Sequence, residues 1–119
     1  YTKADESSKH FPVTGGPDET FNGGSTDAFV AKVKADGTDL VYCGYVGGHS
    51  DEESTGIAVD VNGNAYISGW TYSDESTFPA KKGPSTNYNG SAKDAFVARI
   101  SEQTPAAFLP AVDLLMLDK

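Results

Sequence analysis

The residues Asp60-Val61-Asn62-Gly63-Asn64 place side-chain oxygens at alternate positions, as the opening of a calcium loop does. The pattern stops there, because the glycine stands in the wrong place and no glutamate follows at the twelfth position. An Asn-Gly hairpin turn is therefore the favoured reading. A second cation candidate is the run Asp51, Glu52 and Glu53 after Gly47-Gly48-His49-Ser50, with Asp5-Glu6 and Asp74-Glu75 in further acidic loops. Carboxylates on converging loops can hold Ca²⁺. Solvated loop charges explain the same run without an ion, so no cofactor is expected.

Catalytic chemistry finds less support. His10 and His49 are the only histidines, and neither stands near a serine or cysteine in a recognisable nucleophile motif. Carboxylates are plentiful, yet a glycosidase pair must face each other across a cleft, which spacing along one short chain does not establish. No catalytic residue is expected. Cys43, the single cysteine, lies inside an apolar run and reads as a small core residue, with no intrachain disulfide and no cysteine-based metal site. Asn89-Gly90-Ser91 fits a glycosylation sequon and reads more simply as a turn.

These residues need a scaffold, and composition limits the choice. A chain of 119 residues holds one ordinary domain. Lys and Arg number 9 against 17 Asp and Glu, a formal charge of −8, and the basic residues are scattered apart from Lys81-Lys82. A nucleic-acid partner needs clustered positive charge, so none is expected. No run approaches about 18 apolar residues, and no basic start precedes an apolar stretch; neither a membrane-spanning helix nor a signal peptide is expected. With 13 Gly, 6 Tyr and 6 Phe, and turn residues spaced between short apolar runs, the balance is that of an antiparallel β protein.

An internal repeat organises the chain. Phe11 to Val33 aligns without a gap on Phe78 to Ile100 at a period of 67, with 11 of 23 positions identical. Tyr1 to Ser8 also matches Trp70 to Thr77 once Lys9 and His10 are allowed as an insertion. Between the copies, Asp27 to Lys34 and Asp39 to Val46 flank Asp36-Gly37, while Gly56 to Val61 and Asn64 to Tyr72 flank Asn62-Gly63. Both dipeptides tolerate the positive φ of tight hairpin loops. The expectation is one four-stranded antiparallel sheet over residues 27–72, with partial units either side. Phe29, Ala31 and Val33 share one face and Val30 the other; Leu40, Tyr42 and Val46 oppose Val41, Cys43 and Tyr45. Both faces are apolar, as in sheets stacked on both sides. Asp27 to Val33 and Asp94 to Ile100 should thus take equivalent places, with Phe29 and Phe96 buried alike.

The succession DAFVAK, DGT-LVY, YVGG, TGIAVD, NGNAYI-G and FP, over roughly residues 1–101, resembles the bacterial and archaeal seven-bladed beta-propeller repeat, SBBP. The resemblance implies a four-stranded blade per repeat in a large exported protein, with no catalytic residues. It therefore suggests an extracellular or cell-surface location. Fewer than two repeats are present, whereas a closed propeller takes at least about four blades. The chain is not expected to close a ring by itself.

Residues 1–103 form the repeat module, and residues 104–119 depart from it as an apolar tail. Pro105 and Pro110 oppose a long helix there, leaving Ala111 to Asp118 as a short strand or short helix. The tail either folds back over its own core or adds to another chain. The expected function is a structural subunit that associates head to tail with copies of itself, as an oligomer or fibre. The expected interface comprises Tyr1, Thr2, Phe108, Leu109, Val112, Leu114, Leu115 and Leu117. The alternative is a ligand- or carbohydrate-binding propeller fragment using Trp70, Tyr72 and the acidic loops.

Overall fold

The computed structural model describes residues 1–2, 11–80, 82–90, 92–101 and 111–117. It contains six strands: β1 (Ala28–Val33), β2 (Leu40–Val46), β3 (Glu52–Val59), β4 (Ala65–Thr71), β5 (Asp94–Ser101) and β6 (Ala111–Leu117). The all-β expectation holds, and both hairpins form where the turn residues place them.

Local chemistry fixes those turns. At the first, Gly37 adopts φ 74° and its N–H donates to the Lys34 carbonyl at 2.8 Å, while Asp36 accepts from the Thr38 hydroxyl and amide. At the second, Gly63 adopts φ 83°, a region costly for any residue with a Cβ. The Asp60 carboxylate accepts from the amides of Asn62 and Asn64, from Asn64 Nδ2 and from Tyr66 Oη. Asp60 thereby closes the turn, as the Asn-Gly hairpin reading expects.

The pairing of hairpins corrects the expected sheet. β1 and β2 form a two-stranded sheet, and the four-stranded sheet runs β3-β4-β5-β6, all antiparallel. Residues 27–72 therefore belong to two sheets. The reason lies in the crossing from β2 to β3. Here Gly47 and Gly48 run tightly against Asp27, Glu52 and Ser73 and carry the chain to the next sheet, while the second edge of β2 is taken by Thr14, which exchanges backbone bonds with Cys43, and by the Asp18 carbonyl, which accepts from the Tyr45 amide. The repeat period is right, but the structural unit is cut at a different phase.

Within that phase the repeat is reproduced contact by contact. Thr2 bridges Asp27 as Thr71 pairs with Asp94. The Asn22 amide donates to Asp27 Oδ2 at 2.8 Å, and the Asn89 amide to Asp94 Oδ2 at 2.6 Å. Phe11 and Phe29 ring centroids lie 5.3 Å apart, and those of Phe78 and Phe96 lie 5.1 Å apart. β6 pairs with β5 as β2 pairs with β1: Ala95 opposes Leu117 and Val97 opposes Leu115, where Ala28 opposes Val46 and Val30 opposes Gly44.

The core sits between the sheets. Ala28, Val30, Tyr42 and Val46 of the first pack with Ala65, Ile67, Phe96, Ala98 and Ile100 of the second, and Phe78 lies among them. Tyr45 and Cys43, on the other face of β2, are also buried, with Phe11 stacked on Tyr45 at 4.9 Å and Thr14 bridged to Cys43. The β2 half of the first sheet is thus covered on both faces, while on β1 the face of Phe29, Ala31 and Val33 stays partly open. Phe29 and Phe96 are not buried alike, however: Phe96 is 1% exposed and Phe29 only partly covered. The Phe96 face has the β1–β2 sheet on it, whereas among the described residues the Phe29 face has the segment from Phe11 to Phe21.

Candidate functional site

Each sheet carries a carboxylate where its chain enters the core. Asp27 and Asp94 stand at equivalent places, immediately before β1 and at the start of β5, and Glu52 begins β3 opposite Thr71. All three are fully buried, together with Thr71 and Ser73. Glu52 Oε1 accepts from Thr71 Oγ1 at 2.5 Å and from Ser73 Oγ at 2.6 Å, and Oε2 accepts from the Gly48 amide at 2.9 Å. Those donors stabilise its charged form, yet burial outweighs them and pushes its pKa up.

Asp27 is less well served. Oδ2 accepts from Asn22, while the buried Oδ1 has no hydrogen-bond partner among the described residues. Burial, reinforced by the charge of Glu52, pushes the Asp27 carboxyl up to about 7. A protein can carry such a group most cheaply as the neutral acid. Asp27 can therefore hold a proton near neutrality, and the hydrogen bonds of Glu52 to Gly48, Thr71 and Ser73 tie the loops beside it together.

Among the described residues the cation candidates do not converge. Strand alternation sends Glu52 and Glu53 to opposite faces, since Glu52 pairs with Thr71 and Glu53 with Trp70. Asp51 Oδ1 accepts the Ser25 amide at 2.5 Å. Among the described residues no group of three or more His, Cys, Asp or Glu is placed to hold a metal ion. The reading of this run as solvated charge is corrected at Glu52, which lies in the core because Thr71, Ser73 and Gly48 replace its water. Asn-Gly-x-x-x-Asp, repeated at Asn22 to Asp27 and Asn89 to Asp94, was the available signal for the buried aspartates.

The other candidates find structural places. His49 Nδ1 lies 2.7 Å from Thr77 Oγ1 in an exposed loop. Cys43 is buried, and burial pushes its thiol pKa up, which opposes nucleophilic use. Trp70 and Tyr72 meet edge to face at 74°, with Lys93 Nζ 4.6 Å from the Trp70 ring centroid, so they form no shared flat platform. Of the expected interface, Tyr1 is half exposed and Thr2 bridges Asp27. The positions of Val112, Leu114, Leu115 and Leu117 lie in β6, which joins its own chain's sheet. Over Ala111–Leu117 the tail is a strand. Phe108, Leu109, His10, Asp5, Glu6 and Ser91 lie outside the described residues.

Open surface is the remaining feature. Val33, Ile57 and Val59 are 55%, 63% and 66% exposed, and Val61 fully so. A cleft of about 360 Å³ between β1 and β3 is lined by Phe29, Val30, Ala31, Ile57, Ile67 and the stretch Ser54 to Gly56.

A four-stranded antiparallel meander, packed face-on against the outer strands of an equivalent sheet, defines a partial propeller-like fold. Residues 45–75 match the family model SBBP, described as a beta-propeller repeat, which is the family the sequence resembles. The match runs from the end of β2 through β3 and β4, and so covers the crossing between sheets. No curated protein and no solved structure matches the chain.

Proposed function

We propose that this chain is a non-enzymatic packing module of an extracellular or cell-surface assembly, built by head-to-tail association of copies. The observation that carries the reading is the exposed apolar series Val33, Ile57, Val59 and Val61 along β1, β3 and the turn after β3. β3 is an edge strand of the four-stranded sheet, with one side of its backbone outside the ladder. Apolar side chains on an unpaired edge favour association, because joining another sheet removes them from water and satisfies the free N–H and C=O groups. The exported location follows from the family resemblance and is part of the proposal. Sedimentation velocity across a concentration series, with electron microscopy of the same samples, tests it. Species larger than a monomer are expected, and a chain that stays monomeric at high concentration overturns the reading.

A further inference from the structure

We infer that the contact between copies reuses the contact between the chain's own sheets: the Phe29–Ala31–Val33 face of one copy receives the Ala95–Val97 face of the next. This rests on the self-packing reading above and adds a pair of sheet faces to the exposed β3 edge. Strand parity supplies the argument. β1 sends Ala28 and Val30 into the core against the second sheet, where they meet the layer of Phe96, Ala98 and Ile100. Phe29, Ala31 and Val33 consequently lie on the opposite side of β1. β5 is the counterpart of β1, so Ala95 and Val97, the counterparts of Ala28 and Val30, lie opposite Phe96, Ala98 and Ile100.

Each sheet therefore owns both halves of one contact, an inserting face and a receiving face. One inserting face and one receiving face are joined inside the chain. The other two remain open: Ala31 and Ala95 are exposed, Val33 is 55% exposed, and Phe29 and Val97 are partly covered. The open pair repeats the joined pair in sequence. Ala28, Phe29, Val30 and Ala31 are identical to Ala95, Phe96, Val97 and Ala98, and Val33 stands for Ile100.

The receiving face is also already assembled. Phe11 lies against Phe29 at 5.3 Å, as Phe78 lies against Phe96 at 5.1 Å in the joined contact. A second copy of this chain carries the matching inserting face, and the occupant is thus continuous with an interface the fold already makes. The two halves differ, so the contact is heterologous and each copy has a direction.

Ala31→Glu and Ala95→Glu test the inference, since both sites are exposed and each charge blocks one face when the contact desolvates it. Wild-type chain should form species of several copies. Each variant alone should associate at least about tenfold more weakly, and an equal mixture should stop at two copies, because it retains one receiving and one inserting face. An unfolded variant cannot complement its partner, so dimers in the mixture also report folding. If the wild type assembles and the variants assemble equally well, or the mixture does not dimerise, the face assignment is overturned while self-packing survives. Dimers of either variant alone point to a like-on-like contact and overturn it too. A wild-type chain that remains monomeric at about 1 mM removes the inference and the reading together.

Discussion

Asp27 and Glu52 confront one another across Gly47. A Cβ built on that glycine would stand 2.7 Å from Glu52 Oε2 and 2.9 Å from Asp27 Oδ1. Two buried carboxyl groups this close disfavour simultaneous ionisation, and the one with an unpartnered oxygen takes up the proton.

A pH dependence follows with a defined sign. The folded-state pKa of Asp27 is raised from 3.8 to about 7, so the folded state binds more protons than the unfolded chain between those values. Stability from this group is complete below the lower value and lost as pH rises through about 7; Glu52, also raised, acts in the same direction. Asp36, Asp39, Asp60 and Asp74 are lowered and act oppositely, losing their contribution as pH falls below the ordinary carboxylate range. Thermal melts should decline from pH 4 to pH 7 and level off above. Asp27→Asn should flatten that decline and gain up to ~4 kcal/mol at pH 8; an unchanged slope in the variant removes Asp27 from the account.

Phe11 and Phe78 occupy equal places in the repeat with unequal burial, so truncation should separate them. Phe78 is 2% exposed within the inter-sheet core. Phe78→Ala should cost about 3–5 kcal/mol in urea unfolding. Phe11→Ala should cost clearly less, since Phe11 is only partly covered. Equal costs would show that the Phe29 face is as enclosed as the Phe96 face.

Gly69 opposes Ser54 at the irregular register of β3 and β4, and an added Cβ there would run into the Glu53 carbonyl. That neighbour is backbone and cannot rotate away. Gly69→Ala should destabilise by at least ~2 kcal/mol through strain in the β3–β4 pairing. Amide exchange should accelerate first in these two strands, and uniform acceleration would argue for a global cause instead.

Much of this fold was legible in the sequence because its signals are local. Asp36-Gly37 and Asn62-Gly63 each fix a hairpin from within a few residues. Which hairpin pairs with which depends on a longer step: the Gly47-Gly48 crossing that puts Glu52 beside Asp27. A repeat period is indifferent to where the unit is cut, so the period of 67 was visible and the sheet boundary was not. Glu52 was hidden for a related reason. Its partners Thr71 and Ser73 stand about twenty residues along the chain, and without them an acidic residue beside Asp51 and Glu53 looks like any solvated charge. The apolar tail was ambiguous because its partner strand, β5, is set by register rather than by composition.

A chain ending at Gln103 would lack β6 and leave one edge of β5 unpaired. Its melting temperature should fall, and β5 amides should lose exchange protection selectively. If assembly of that shortened chain matches the full-length protein, the tail acts in folding alone.

Ala111–Leu117 departs from the repeat, yet its backbone takes the position against β5 that Leu40–Val46 takes against β1, residue for residue across most of the strand. The outermost berth of the sheet therefore accepts strands of different sequence, although in the first sheet Tyr42 and Val46 also reach the core from it. This makes it a natural splice point, where a foreign strand of similar span that keeps an apolar face toward the core can be grafted while β4 and β5 keep the repeat's spelling.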